Sequence, residues 1–343
     1  MENVLVTGGA GFVGSHLAEY LLNSGYNVVV LDDLSGGFVE NVEAIASQKD
    51  ASGEQRGPIF VHGSILNHEL INFLFAQYKF TYVYHLAAYA AEGLSHFIKR
   101  FNYENNLVGS VNLINAAVNH GTKCFVFTSS MAVYGSSQVP MSEEMIPAPE
   151  DSYGIAKAAV ESELAISREM FGLDYVIFRP HNVIGPRQNI GDRYRNVVGI
   201  FMNQILKGLP MPVFGDGEQM RAFSYIDDIV PTIAKSPTVA EAIGNVFNIG
   251  GDTPCTINQL ADVVAAAMGC EKKVLHLEPR HEVKLAFCSH DRVKQIFGER
   301  PLTSLEEGIR LMSEWAKKHG ARESKPFQGI EIAKNLPASW RRD

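Results

Sequence analysis

Short apolar runs alternate along this chain with longer stretches in which apolar residues recur every third or fourth position. Residues 3–7, 27–31, 59–61, 82–86, 124–128 and 175–178 are compact runs rich in valine, phenylalanine, tyrosine and isoleucine, and they predict buried strands. Helix-length segments at 15–24, 102–119 and 152–170 separate most of them. Repeated strand–helix–strand order predicts an α/β fold, a doubly wound parallel sheet of the Rossmann kind with both faces covered. The segment 40–58 is polar and weakly periodic and reads as a helix followed by a surface insertion. After Arg179-Pro180 glycine, proline and arginine punctuate the pattern, which predicts a smaller C-terminal α/β lobe. Residues 245–249 read as one more strand returning to the main sheet. The expected division is 1–180, with about 226–250 returning to it, against 181–225 and 251–343. The tail from Glu323 is polar and adds little to this reading.

Composition narrows the function. Lysine and arginine number 30 and aspartate and glutamate 38, a net charge of −8, which argues against a nucleic-acid partner that would be held through its phosphates. Every apolar run is interrupted long before the roughly 18–20 residues of a membrane span, so no membrane partner is expected. The start, Met1-Glu2-Asn3-Val4, has no basic region and enters a strand at once, which is not how a signal peptide reads. Cys124, Cys255, Cys270 and Cys288 are widely spaced, so neither a disulfide framework nor a metal site is expected, and a reducing cytoplasm suits them.

Thr7-Gly8-Gly9-Ala10-Gly11-Phe12-Val13-Gly14 follows a predicted strand and opens a predicted helix. Glycines at this spacing let the turn tighten and let a pyrophosphate approach bare backbone at a helix N-terminus. Asp32 ends the next strand, where a carboxylate accepts hydrogen bonds from an adenine ribose and repels a 2′-phosphate. The pattern therefore favours NAD over NADP. Tyr153 and Lys157 stand i and i+4 on one helix face, an arrangement in which an ammonium favours a phenolate. Strand 124–128 runs into Ser129 and Ser130, and ligands in such sheets sit beyond the strand ends. Hydroxyl, phenol and ammonium together form a proton-transfer set suited to oxidising a secondary alcohol by hydride loss.

The glycine-rich turn, His85-Leu86-Ala87-Ala88, Asn105-Asn106, the run from Thr128 to Gly135, Tyr153-Gly154-Ile155-Ala156-Lys157, Arg179-Pro180-His181-Asn182 and Arg221-Ala222-Phe223 carry a resemblance. Over residues 1 to about 320 the chain resembles the extended short-chain dehydrogenase/reductases of the nucleotide-sugar type, most of all the UDP-glucose 4-epimerases and their relatives. The resemblance implies that Gly8, Gly11, Phe12, Val13 and Gly14 cradle the pyrophosphate of NAD and that Asp32 holds its ribose. It puts Ser64 and Ile65 at the adenine, with Ser64 in place of the family's aspartate. Leu86, Ala87, Ala88, Asn105 and His181 would line the cofactor, the last where many relatives have an aromatic residue. Ser130, Tyr153 and Lys157 match the catalytic set, with Ser130 also touching substrate and Tyr153 and Lys157 also binding the cofactor, Lys157 at the nicotinamide ribose. Asn182, Asn196, Arg221 and Arg280 fall where relatives grip the nucleotide diphosphate.

Two departures bear on the reaction. Family dehydratases and decarboxylases have acidic residues just after the catalytic hydroxyl, and GDP-mannose 3,5-epimerases have a cysteine near the same place. This chain has Met131-Ala132 there, neither of which moves a proton. The resemblance thus implies a cytoplasmic NAD-dependent 4-epimerase of a nucleotide sugar, UDP-linked and of the glucose/galactose type. Other 4-keto-sugar chemistry (3,5-epimerisation, dehydration or ketoreduction) and a non-catalytic NAD-sensing role are the alternatives. Relatives pair through the two long helices, so a homodimer is expected.

Overall fold

Six of the apolar runs and the returning strand lie side by side in a computed structural model that describes residues 1–47, 57–279, 283–323 and 327–341. The strands are β1 (Asn3–Thr7), β2 (Asn27–Asp32), β3 (Ile59–His62), β4 (Tyr82–His85), β5 (Cys124–Thr128), β6 (Asp174–Pro180) and β7 (Val246–Ile249). They form one parallel sheet in the order β7-β6-β5-β4-β1-β2-β3. β1 pairs with β2 on one side and β4 on the other, so the winding reverses there and a crevice opens beyond the carboxyl ends. Alternate residues of β1 enter opposite cores, Val4 and Val6 on one face and Leu5 on the other, as the pleat requires.

One sequence expectation fails at the edge. Residues 59–61 read as a buried strand, yet Ile59 is 46% exposed, because β3 has a single neighbour and little covers its outer side. The helix predicted within 40–58 is α2 (Val39–Ala46), while residues 48–56 of that segment lie outside the described residues.

The helices begin where their sequences permit. α1 (Phe12–Asn23) starts three residues before the predicted position, directly off the glycine turn. α3 (His68–Tyr78) covers the β2 side of the sheet. Lys99–Tyr103, a π-helical stretch Glu104–Val108 and Gly109–Asn119 run on as one helix, α4. α5 (Ser152–Phe171) is capped by Asp151, whose carboxylate accepts the Gly154 N–H at 2.8 Å, and stops at Gly172 with φ +75°.

Past β6 the chain builds the smaller lobe from α6 (Val197–Leu206), the strand pair Met211–Phe214 and Val274–Leu277, and a three-stranded sheet of Pro254–Thr256, Met220–Ala222 and Leu285–Ala286. α7 (Ile226–Lys235) packs back against α1 and leads to β7. α8 (Ile257–Met268) opens with a reciprocal Thr256–Gln259 capping box, and α9 (Leu305–His319) lies against it. One apolar cluster runs unbroken from β1 through Phe201, Met211, Leu260 and Ile309, so this lobe is fused to one face of the sheet. Among the described residues no helix is long and apolar enough to cross a membrane.

Candidate active site

The glycines of the turn after β1 leave no room for a side chain. Gly8 has φ +69°, and a Cβ there would stand 2.8 Å from the backbone of Ala87. At Gly14 it would stand 2.1 Å from the Gly8 carbonyl oxygen, and at Gly37 2.6 Å from the Ala10 carbonyl carbon. Gly11 begins α1 with no side-chain cap, which leaves the first helical N–H groups facing the cleft for an anion. Asp32 is buried at the end of β2 and accepts the N–H groups of Ala10 at 3.0 Å and Leu34 at 2.8 Å. Burial raises its carboxyl above the ordinary range, and these N–H groups partly offset the rise. A bare-backbone cradle next to a buried carboxylate fits the pyrophosphate and ribose of a dinucleotide.

From this turn a cleft of about 560 Å³ runs between the sheet and the smaller lobe. Its wall contains Gly8, Gly11, Phe12, Val13, Gly14, Asp32, Ile65, Leu86, Ala87, Ala88, Asn105, Ser130, Tyr153, Lys157, Asn182, Asn196 and Arg221. The fold thus brings together most of the residues singled out in the sequence, from both sides of the cleft.

At the cleft floor Ser130 leaves β5 in extended conformation, and its Oγ accepts the Ala132 N–H at 3.1 Å and bonds the Tyr153 hydroxyl. Lys157 is 2% exposed, and its Nζ donates to the Thr128 carbonyl at 2.7 Å. It also lies 4.6 Å from the Phe127 ring centroid and 5.7 Å from that of Tyr153. Burial pushes Lys157 down to about 7, with Glu161 opposing. Burial also raises the Tyr153 phenol well above 10, Glu92 and Asp151 adding to the rise while Ser130 and Arg195 oppose it. In the chain's own field desolvation dominates, so phenolate formation needs nearby positive charge.

Two expected residues stand apart from the wall. The Ser64 hydroxyl turns back to accept the Leu66 N–H at 3.2 Å, and Ser64 is not part of the wall that Gly63 and Ile65 form. His181 lies behind the wall between Pro180 and Asn182. Its Nδ1 donates to the Ala222 carbonyl at 3.1 Å, and its Nε2 meets His290 Nε2 at 3.0 Å. His290 Nδ1 in turn lies 2.6 Å from the Asp252 carboxylate. These contacts make His181 a tie between the end of β6 and the segment before Asp291. Arg280 lies outside the described residues.

On the substrate side, Asn182 and Asn196 both take positive φ, +39° and +53°. Their amides donate to the carbonyls of Ala222 at 2.9 Å and Val183 at 2.7 Å, which fixes the loops beside the cleft. The Arg221 guanidinium lies along the wall and donates to the carbonyls of Met220 and Val283.

Comparison with known proteins bears on what this cleft is for. The model of the NAD dependent epimerase/dehydratase family matches residues 4–250. The chain is 33% identical over 308 residues to a UDP-glucose 4-epimerase of Mycolicibacterium smegmatis, covering 89% of this chain and 95% of the relative. The chain belongs to the NAD-dependent epimerase/dehydratase family. Among solved structures it is similar to the UDP-glucose 4-epimerase of Thermotoga maritima with UDP-glucose, with TM-score 0.83, 35% identity, and 92% of this chain and 99% of that one covered. The UDP-glucuronic acid 4-epimerase of Bacillus cereus, in complex with UDP-glucuronic acid and NAD, gives TM-score 0.82 at 30% identity, with 92% and 99% covered. The extended short-chain dehydrogenase/reductase resemblance read from the sequence stands, and NAD is the cofactor of this epimerase/dehydratase-family enzyme.

Several positioning groups, many of them within the motifs quoted above, have no role assigned from the sequence. Ser110 donates to the Asn106 carbonyl and so accepts from His85 Nε2–H at 2.8 Å, which leaves His85 Nδ1 to accept the Thr7 hydroxyl at 2.7 Å. Thr7 then accepts the N–H groups of Leu86 and Ala87, fixing the strand end beside the cradle. Asn106 holds Tyr89 through both its N–H and its carbonyl. Beneath Ser130, Glu161 accepts from Ser129 and pairs with buried Arg179, which also donates to Tyr134. The sequence signal for these is a polar residue inside an apolar element, as at His85, Glu161 and Arg179. Tyr89, Glu92, His96 and Arg195 also line the cleft, but on loops whose place no periodicity predicts. Among the described residues no cluster of histidine, cysteine and carboxylate is arranged to hold a metal ion, and the four cysteines are free.

Proposed function

We propose that this enzyme epimerises a UDP-sugar at C4, with the UDP-glucose/UDP-galactose pair as substrate and product, through a transient 4-keto sugar. The observation that carries the reading is the Ser130–Tyr153–Lys157 set at the cleft floor, followed along the wall by Met131 and Ala132, which cannot expel a leaving group. The glycine cradle and Asp32 would hold NAD, with Leu86, Ala87, Ala88, Asn105 and Lys157 along it. Bound NAD supplies the hydride acceptor and, reduced, the hydride donor, together with one positive charge when oxidised. Tyr153 as phenolate takes the proton of the 4-hydroxyl, and Ser130 holds that hydroxyl by hydrogen bonding. Lys157, kept from water under Tyr153, contributes charge that favours the phenolate. Once the keto sugar has presented its opposite face, return of the hydride to C4 from the reduced cofactor and of the proton from Tyr153 to the 4-oxygen would give the C4 epimer. Asn182, Asn196 and Arg221 are read as the grip on the nucleotide diphosphate, since a guanidinium fork suits phosphate oxygens.

A second reading, 4-keto-sugar chemistry with an additional acid, has one observation in its favour: Glu92 lines the cleft and its charge acts on Tyr153. Incubation with UDP-glucose, UDP-N-acetylglucosamine and UDP-glucuronate in heavy water, followed by product NMR, separates the two. Epimer formation without carbon-bound deuterium supports the proposal; deuterium beside C4, accumulation of a keto sugar or a stoichiometric need for NADPH overturns it. Tyr153→Phe is expected to lower kcat about 10²–10⁴-fold while NAD content is unchanged. Undiminished turnover would remove Tyr153 from the mechanism.

We read residues 1–180 with 226–250 as the NAD-binding unit and the remainder as the sugar-nucleotide unit. The long helices α4 and α5 are read as the dimer surface, on the strength of the apolar side chains they leave exposed.

A further inference from the structure

Residues 327–341 contain no secondary structure beyond the turn Ala338–Trp340, yet Leu336 is 6% and Trp340 4% exposed. They pack behind the cleft wall on the side of Tyr153. The Phe327 ring meets Phe101 edge-on at 4.9 Å and lies 5.4 Å from Tyr89, and its N–H donates to the Tyr194 hydroxyl at 3.0 Å. Trp340 meets Tyr194 edge-on at 5.3 Å, Phe97 at 6.4 Å and Phe214 at 6.5 Å. Its ring comes within 3.1 Å of where a Cβ on Gly93 would be. The Glu331 carboxylate accepts the N–H groups of Arg100 and Phe101, each at 2.9 Å, at the start of α4. The N–H of Glu331 donates to the Phe97 carbonyl at 2.8 Å.

Tyr89, Gly93, Phe101, Tyr194 and Phe214 are themselves cleft wall. We propose that the C-terminal segment is a strap that positions the sugar-facing wall, with Trp340 as its anchor, and thereby sets which sugar the enzyme accepts. The inference rests on the reading of the site as that of a UDP-sugar epimerase. Two stretches of wall, around residues 89–96 and 189–195, contain no regular element longer than the turn Glu92–Ser95. Each takes its shape from what backs it. The strap backs both, and Arg195 lies over Tyr89 at 4.8 Å, so a shift in one stretch moves the other. Glu92 and Arg195 act on the Tyr153 phenol, which ties the same wall to catalysis. The strap contacts named above fall on this wall or on Phe97 and Arg100 beside it, and none is in the glycine cradle or at Asp32.

The test compares wild type, Trp340→Ala and Trp340→Phe for NAD content, for calorimetric affinity toward UDP, UDP-glucose, UDP-N-acetylglucosamine and UDP-glucuronate, and for kcat and KM. Trp340→Ala is expected to weaken UDP-sugar binding about tenfold and to flatten the preference among sugars. NAD content and affinity for UDP stay within about twofold, and Trp340→Phe restores most of the loss. Glu331→Gln, which weakens the cap without opening a cavity, serves if Trp340→Ala fails to fold, and it is expected to shift sugar preference in the same direction. Unchanged sugar affinity and preference, or a fall of NAD, UDP and sugar binding in step, overturns the strap. A wild-type protein that binds none of these sugars overturns the functional reading first, so the two failures are distinguishable.

Discussion

The 2.1 Å that would separate a Gly14 Cβ from the Gly8 carbonyl oxygen is a contact real structures do not make, and its partner is backbone with no rotamer to yield. Gly14→Ala must therefore open the turn and tilt α1 away from β1. Retained NAD, measured on the purified protein by absorbance and mass spectrometry, is expected to fall at least about tenfold, the loss of one good anion contact. Full retention would mean that the cradle is not where the pyrophosphate sits. Residue-level rules also account for which site residues are legible in the sequence. Tyr153 and Lys157 share a helix face by spacing alone, and Ser130 follows from the strand that ends just before it, so local rules find all three. His181 escapes those rules because what fixes it, His290, lies far along the chain, and no local pattern carries that pairing.

Elements are legible where burial is two-sided. Strands such as 124–128 coincide with the structure residue for residue because a run covered on both faces must be continuously apolar. The edge strand β3 has the same composition but half the cover, a difference of sheet order that the run itself cannot encode. The C-terminal strap leaves no pattern in the sequence for a related reason: Phe327, Leu336 and Trp340 follow neither helical nor strand period, and they find their partners across the molecule. On α5 the outward positions 155, 159, 162, 166 and 170 form one stripe, in which Ile155 is 44%, Ile166 52% and Met170 66% exposed. Beside it α4 exposes Val108. Such a stripe in water suits a second copy of the chain. Sedimentation at low micromolar concentration is expected to give a dimer for wild type and a monomer for Ile166→Glu, with the circular dichroism spectrum unchanged. A monomeric wild type would remove the dimer.

Across the whole molecule, buried cations and imidazoles tie stability to pH in one direction. Burial pushes His16 and His181 from 6.5 down to about 4, and His85 well below its ordinary value. Between pH 6.5 and 4 the unfolded chain binds protons that the folded protein excludes, so stability falls as pH falls through that window. The slope is about 1.4 kcal/mol per pH unit for each such ring. Lys157, lowered from 10.5 to about 7, has the same sign over its own range: stability rises with pH between those values. Asp32, Asp151 and Asp227, raised by burial, oppose the acid loss because the folded state keeps their protons longer. Removing one histidine isolates a single contribution. His16 sits where α1 meets the smaller lobe, with its Nε2 at 3.1 Å from the Pro186 carbonyl and Asp227, Glu19 and Arg187 around it. Glutamine there can still donate to that carbonyl but takes up no proton. Urea midpoints at pH 6 and pH 5, converted to free energy, are expected to show His16→Gln losing about 1.4 kcal/mol less than wild type over that unit. Equal losses would place the imidazole in water, where α1 and the smaller lobe would no longer be joined through it.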